Sequence, residues 1–369
     1  MTRTRSPRSR PASPRSLRGL AVLTAFVVGG GLVGFAATEA GAQSSGGQGG
    51  LNVGAIESKV DPAVAVVNTT LANGQGEAAG TGIVIGSSGE VLTNNHVIEN
   101  SSSVKVQFGG TGRSYSADVL GYNVSEDVAL LKVDGVSGLA TVATDDTVSV
   151  GEPVVALGNA GGRGGTPDAT SGSVRAVGET IQVADSSGSQ TLRNLIRVDA
   201  SLEPGDSGGP LVDSDGQVVG MNTAASSGGG FRLRTGSGSG DGYAVPIKTA
   251  MSVATQIKSG EGSGDTHVGE RAFFGVSIRS VGSRSGLRDR TSSSGAIVGS
   301  VQSGSPADDA GLQQSDTITS LAGKSVSSID DLTSALAPHH PRDKVEVGWT
   351  DNSGHHHTAQ VTLASGPPA

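Results

Sequence analysis

Apolar residues in this chain fall in short runs rich in Val, Ile and Leu, separated by clusters of Gly, Ser, Asn and Asp. Runs of this length bounded by turn formers predict strands rather than long helices. They lie at Ala63–Val67, Gly82–Ile85, Glu90–Thr93, Val104–Phe108, Asp127–Val133, Val154–Leu157, Gly172–Val177, Leu195–Val198, Pro210–Val212, Gln217–Asn222 and Gly242–Val245. Such spacing predicts a sandwich or a pair of barrels. Ile247–Lys258 departs from the pattern, with apolar residues at helical spacing, and predicts one helix that closes this unit.

Ser226–Gly242 is almost entirely Gly, Ser and Arg, and reads as a loop because strand character resumes after it. Ser259–Gly269 is Gly, Ser and acidic residues, and reads as a linker. Beyond it, β-type runs and a helical stretch near Asp330–Ala337 predict a small α+β domain. The expected organisation is a targeting segment at 1–42, a Gly/Ser-rich leader at 43–50, a first domain at 51–258, a linker at 259–270, a second domain at 271–364 and a tail at 365–369.

A length of 369 residues with 35% hydrophobic content agrees with more than one core. The targeting reading comes from six arginines between Arg3 and Arg18, an uncharged stretch from Leu20 to Ala37, and a small-residue cleavage site at Ala40-Gly41-Ala42. Whether cleaved or kept as an anchor, the segment implies export. Without residues 1–42 the formal charge moves from -8 to -13, because six positive charges and Glu39 leave together. An acidic body of this kind excludes nucleic acid as a natural partner. The absence of cysteine excludes disulfides and thiolate nucleophiles.

The most specific chemical signal is Gly205-Asp206-Ser207-Gly208-Gly209-Pro210. A serine hydroxyl is a poor nucleophile until a neighbouring base takes its proton and fixed donors stabilise the oxyanion that follows. Glycines beside it permit the tight turn that aims backbone N–H groups at that charge. His96 is the only histidine before residue 267, which makes it the candidate base. The third member of such a set is a carboxylate that fixes the imidazole tautomer. Asp127 heads the apolar run Asp127–Val133 and is preferred over Asp118 and Asp134, which read as solvated turn or strand-end residues.

The order His, Asp, Ser resembles that of chymotrypsin-like proteases, and the surrounding blocks resemble the HtrA family of exported quality-control proteases. The blocks are Gly80–Ile85, Thr93–Val97, Asp127–Val133, Gly158-Asn159 and Asp199–Leu211. This resemblance implies a mainly β fold, two six-stranded β-barrels with the triad in their cleft, and an oxyanion hole made by the amides of Gly205 and Ser207. It places a specificity pocket at Ser201 and Leu202 with walls from Asn222, Thr223 and Ala224. With no aspartate at Ser201, small to medium aliphatic residues are expected before the scissile bond. The resemblance also suggests a homo-oligomer, a trimer. Asp206 stands where the family usually has asparagine, and Arg175 is the expected partner for its carboxylate.

Arg271–Val276 followed by Gly304–Leu312 resembles a PDZ domain, which captures a peptide C-terminus. The resemblance implies carboxylate binding at the loop Phe273, Phe274, Gly275 and Val276. A side-chain pocket would form from Phe274, Val276 and Ile278 with Leu332 or Leu336. His355-His356-His357 invites a metal reading, but neighbours on a strand point to opposite faces, so neither metal nor cofactor is expected. The function expected is a serine endopeptidase acting on unfolded or damaged exported proteins. A non-proteolytic holdase and a PDZ-led scaffold are the alternatives.

Overall fold

Asn52 accepts the Ala55 N–H with its side chain, which caps helix α1 (Val53–Val60), and Ile56 and Val60 of that helix turn inward. A computed structural model describes residues 51–71, 76–184, 189–225, 232–233, 241–262, 265–279 and 295–368, with side chains left out at 184, 189, 224–225 and 232–233. The targeting segment, the leader and most of the loop expected at 226–242 lie outside the described residues.

The first barrel consists of β1 (Val64–Leu71), β2 (Glu77–Gly86), β3 (Glu90–Thr93), β4 (Ser101–Phe108), β5 (Tyr115–Asn123) and β6 (Val128–Val133), with the short helix α2 (Asn95–Ile98) after β3. Its strands run β5-β4-β1-β2-β3-β6, and the pairing of β5 with β6 closes it. The second barrel holds β7 (Pro153–Gly158), β8 (Asp168–Ala184), β9 (Ser189–Val198), β10 (Pro210–Val212), β11 (Val218–Ala225), β12 (Arg232–Leu233) and β13 (Gly242–Pro246). Here the order is β8-β7-β10-β11-β13-β9, closed by β8 with β9, while β12 adds to β8. Closure removes the free edges that open sheets must protect.

One buried cluster joins Val64, Ile83, Leu92 and Leu130 of the first barrel to Leu157, Met221 and Val245 of the second. Helix α3 (Ile247–Ser259) adds Ile247, Val253 and Ile257 to it. Each large side chain so buried contributes roughly 1.5–3 kcal/mol. The shared cluster ties the two barrels to each other.

The stretch read as a linker carries a strand of its own. β14 (Thr266–Val268) pairs with β5, Thr266 opposite Asn123 and Val268 opposite Gly121. Asn123 donates its side-chain amide to Thr266 Oγ1 at 2.8 Å, and the His267 ring lies 5.2 Å from that of Tyr122 and 6.1 Å from that of His340. The sequence hid this strand because its polar residues bond to the barrel edge rather than bury an apolar face.

The second domain contains β15 (Arg271–Phe273), β16 (Val276–Ile278), β17 (Ala296–Val301), α4 (Pro306–Asp309), β18 (Thr317–Leu321), β19 (Lys324–Ser325), α5 (Ile329–Leu336), β20 (Lys344–Thr350), β21 (His356–Thr362) and β22 (Ala364–Gly366). Its main sheet runs β16-β17-β18-β20-β21, so β16 ends the sheet among the described residues. β22 pairs with β15, which returns the chain end toward the first barrel, where the Asn100 N–H donates to Pro368 O at 2.9 Å.

Candidate active site

Asn94 is extended and begins α2, whose Val97 and Ile98 are buried in the first barrel's core. That anchoring presents His96 at the rim, with 16% of its side chain exposed. Asp127 immediately precedes β6 and holds a left-handed backbone at φ 53°, an uncommon conformation for a residue with a Cβ. Two bonds keep it there: Asn94 Nδ2 donates to Asp127 O at 2.9 Å, and the Asp127 N–H donates to Val124 O at 3.2 Å. The buried carboxylate faces His96, whose Nδ1 lies 2.9 Å from Oδ2 and whose backbone N–H donates to Oδ1 at 3.1 Å. Gripping ring and backbone together fixes the imidazole's orientation.

Ser207 is tied to this pair through Thr223. Its Oγ donates to Thr223 O at 3.1 Å, while Thr223 Oγ1 donates to Asp127 Oδ2. Thr223, expected in a pocket wall, thus spends its side chain on Asp127 and its carbonyl on Ser207. Asn222 is fully buried, its amide directed to Leu157 O and Pro210 O at 3.3 Å each, so its side chain does not line a pocket. Leu202 is buried and Ser201 exposed. A Cβ at Gly242 would meet Leu202 Cγ at 2.7 Å, which shows how closely the leucine fills that space. The side chain of Ala224 is outside the described residues.

In the loop before Ser207, Gly205 has φ 105°, and a Cβ there would lie 2.1 Å from Asn159 O, so only glycine fits. The Gly161 N–H holds Pro204 O at 2.7 Å and the Gly209 N–H holds Asp206 O at 2.9 Å. In a trans peptide the N–H points opposite to the C=O, so the amides of Gly205 and Ser207 face away from these anchors.

Asp206 is buried beside the nucleophile candidate, and Arg175 does not reach it. Arg175 pairs instead with Asp199, which the adjoining Val174–Val198 pairing brings alongside. The Asp206 carboxylate accepts the Glu203 N–H at 2.8 Å. Burial, with added repulsion from Glu203 and Asp168, pushes its pKa up to about 6.

In the second domain, Phe274 and Leu332 are buried in the core, whereas Val276, Ile278 and Leu336 are half-buried and Phe273 packs against Gly366. Gly275 has φ 91° and approaches Ser305 so closely that a Cβ would lie 2.1 Å from its Cβ. The Ala307 N–H holds Phe274 O at 3.0 Å and the Gln302 N–H holds Gly275 O at 2.9 Å.

Paired closed barrels with a Ser, His and Asp at their junction, followed by a PDZ domain, define a trypsin-like peptidase with a peptide-binding module. The trypsin-like peptidase domain model matches residues 80–221 and the PDZ domain model residues 273–362. The serine protease Do-like HtrA of Lactococcus lactis is 33% identical over 293 residues, covering 77% of this chain and 70% of that protein. The periplasmic pH-dependent serine endoprotease DegQ of Escherichia coli is 35% identical over 291 residues, 78% of this chain and 59% of DegQ. Among solved structures, the HtrA-type protease AlgW with a tripeptide matches with a TM-score of 0.48 and 27% identity, over 86% of this chain and 98% of AlgW. The chain belongs to the HtrA family of serine proteases. It is a serine endopeptidase.

Proposed function

We propose that Ser207, His96 and Asp127 form the catalytic triad and that hydrolysis proceeds through an acyl-enzyme on Ser207. The observation that carries this is the grip of Asp127 on both the ring and the backbone of His96, with Thr223 bonded to Asp127 and to Ser207 alike. Substrate entry shifts the Ser207 hydroxyl from Thr223 O to His96 Nε2. His96 takes the proton as Ser207 Oγ attacks the carbonyl carbon, and Asp127 stabilises the imidazolium. The oxyanion meets the N–H groups of Gly205 and Ser207. His96 then passes the proton to the leaving amine, and water, deprotonated by His96, releases the acid product.

The PDZ domain binds substrate C-termini. With the carbonyls of Phe274 and Gly275 held inward, the N–H groups of Gly275 and Val276 face the other way, as a carboxylate requires. β16 offers its edge for an added strand. Substrates are unfolded or damaged exported proteins, a reading supported by the periplasmic relatives and by the Arg-rich, then uncharged, N-terminal segment.

The test is casein degradation by the protein lacking residues 1–42, beside Ser207→Ala and a form ending at Lys258. Loss of degradation by roughly 10^4-fold or more in Ser207→Ala supports the triad, because its members act as a unit. Retained degradation in that variant refutes it.

A further inference from the structure

Four successive carbonyls run through the loop that carries Ser207, and all four are engaged. Pro204 O and Asp206 O are held from within the second barrel by Gly161 and Gly209. The other two are held by one residue of the first barrel: Thr81 Oγ1 donates to Gly205 O at 2.7 Å, and the Thr81 N–H donates to Ser207 O at 2.8 Å. Thr81 is fully buried on β2. Its hydroxyl also accepts the Asn159 N–H at 2.9 Å, so it bridges the 159–162 turn, which anchors Pro204, to the loop itself. Thr81 is in turn steadied by Thr93, whose hydroxyl donates to Thr81 O at 2.7 Å.

We propose that Thr81 is a positioning residue of the oxyanion hole, a clamp from the first barrel that, together with the Gly161 and Gly209 anchors, sets the angles of the Gly205 and Ser207 amides in the second. This role presupposes the reading of Ser207 as nucleophile. The physical case is one of rigid peptide planes. Gly205 has no side chain to restrain it, and its φ of 105° leaves the flanking peptides free to rotate unless their carbonyls are fixed. Thr81 fixes the carbonyl on the far side of Gly205 Cα and the one following Ser207 Cα. Both donors to the oxyanion are thereby framed between anchored planes. Donors aimed before the charge develops stabilise the transition state more than the bound substrate, so the clamp acts on turnover rather than on affinity. Thr81 touches neither substrate nor the reacting atoms.

The comparison needs the protein lacking residues 1–42, Thr81→Val, Thr81→Ser and Ser207→Ala, assayed on one fluorogenic peptide, with Tm recorded for each. Valine keeps the shape and removes the hydroxyl; serine keeps the hydroxyl. Thr81→Val is expected to lower kcat by about 10- to 100-fold with KM within about twofold, and to weaken a peptide aldehyde, which mimics the tetrahedral state, by a similar factor. Thr81→Ser should stay within about threefold of the parent on both readouts. Should Thr81→Val melt below the assay temperature, Thr81→Ala, which leaves room for water, is judged by the same criteria. A kcat within about twofold in the hydroxyl-free variant overturns the clamp while leaving the triad intact, as does an equal defect in Thr81→Ser. Turnover that persists in Ser207→Ala overturns the catalytic reading and the clamp with it.

Discussion

Thr223, on a strand of the second barrel, donates its hydroxyl to the Asp127 carboxylate of the first, while its own carbonyl accepts the Ser207 hydroxyl. Hydrogen bonds to a charged, buried partner are worth roughly 1.5–3 kcal/mol. Thr223→Val should therefore lower kcat by about 10- to 100-fold with little change in KM, and Thr223→Ser should recover most of it. Steady-state kinetics on one peptide substrate checks this, and an unchanged kcat in the valine variant counts against the assigned role.

Asp206 makes stability depend on pH in a direction opposite to a salt-bridged carboxylate. Its pKa, raised by burial to about 6, means the native state keeps a proton that the unfolded chain has already lost. Its contribution is thus most favourable below about pH 4, falls as pH rises toward 6, and is flat above. Asp206→Asn keeps an acceptor for the Glu203 N–H and removes the charge. The variant should match the parent near pH 4 and exceed it by roughly 2–3 kcal/mol near pH 7. Urea melts across that range measure the gap; a gap that stays constant from about pH 4 to 7 refutes the linkage.

In the specificity pocket that the family resemblance implies, Leu202 would set the depth, because it fills the space against Gly242. Leu202→Ala should shift preference before the scissile bond from valine and alanine toward leucine and phenylalanine by roughly tenfold or more, the usual worth of a few methylenes in an apolar pocket. Peptide-library profiling reads the shift. An unchanged profile would place the pocket elsewhere.

Carboxylate capture by the PDZ domain predicts that amidating a substrate's C-terminus weakens binding to the full chain and slows cleavage by it, but leaves cleavage by a form ending at Lys258 unaltered. Calorimetry with the Ser207→Ala chain and a free or amidated peptide separates binding from turnover. Equal affinity for both tails would refute the assignment.

Most strands of both barrels and the closing helix were legible because each leaves a local mark, an apolar run bounded by turn formers or apolar residues at helical spacing. Ser207 and His96, the proposed nucleophile and base, stood out by a Gly-flanked serine and by the lone histidine before residue 267. β5 was missed, since Tyr115–Asn123 mixes polar residues and Gly121 along a half-exposed strand. The part of Thr223 was not legible either. A register shift between Asn222 and Ala224 breaks the alternation that would have told which face each side chain takes. Arg175 was read toward Asp206 because sequence reveals charges but not the cross-strand register that delivers Arg175 to Asp199.

The β14–β5 pairing changes what a captured tail experiences. A limp connection would let the PDZ domain sample a sphere of positions, and the advantage to cleavage would fall as its contour grew beyond the span. Here three of the connecting residues are stitched to the barrel wall, and Pro368, just past the strand that pairs with β15, is fastened near α2. If the PDZ domain captures tails as proposed, the distance from tail anchor to Ser207 then behaves as a ruler rather than a leash. Under the proposed capture, a substrate shorter than that span would be caught by its end without reaching Ser207, whereas a longer one would be delivered to it.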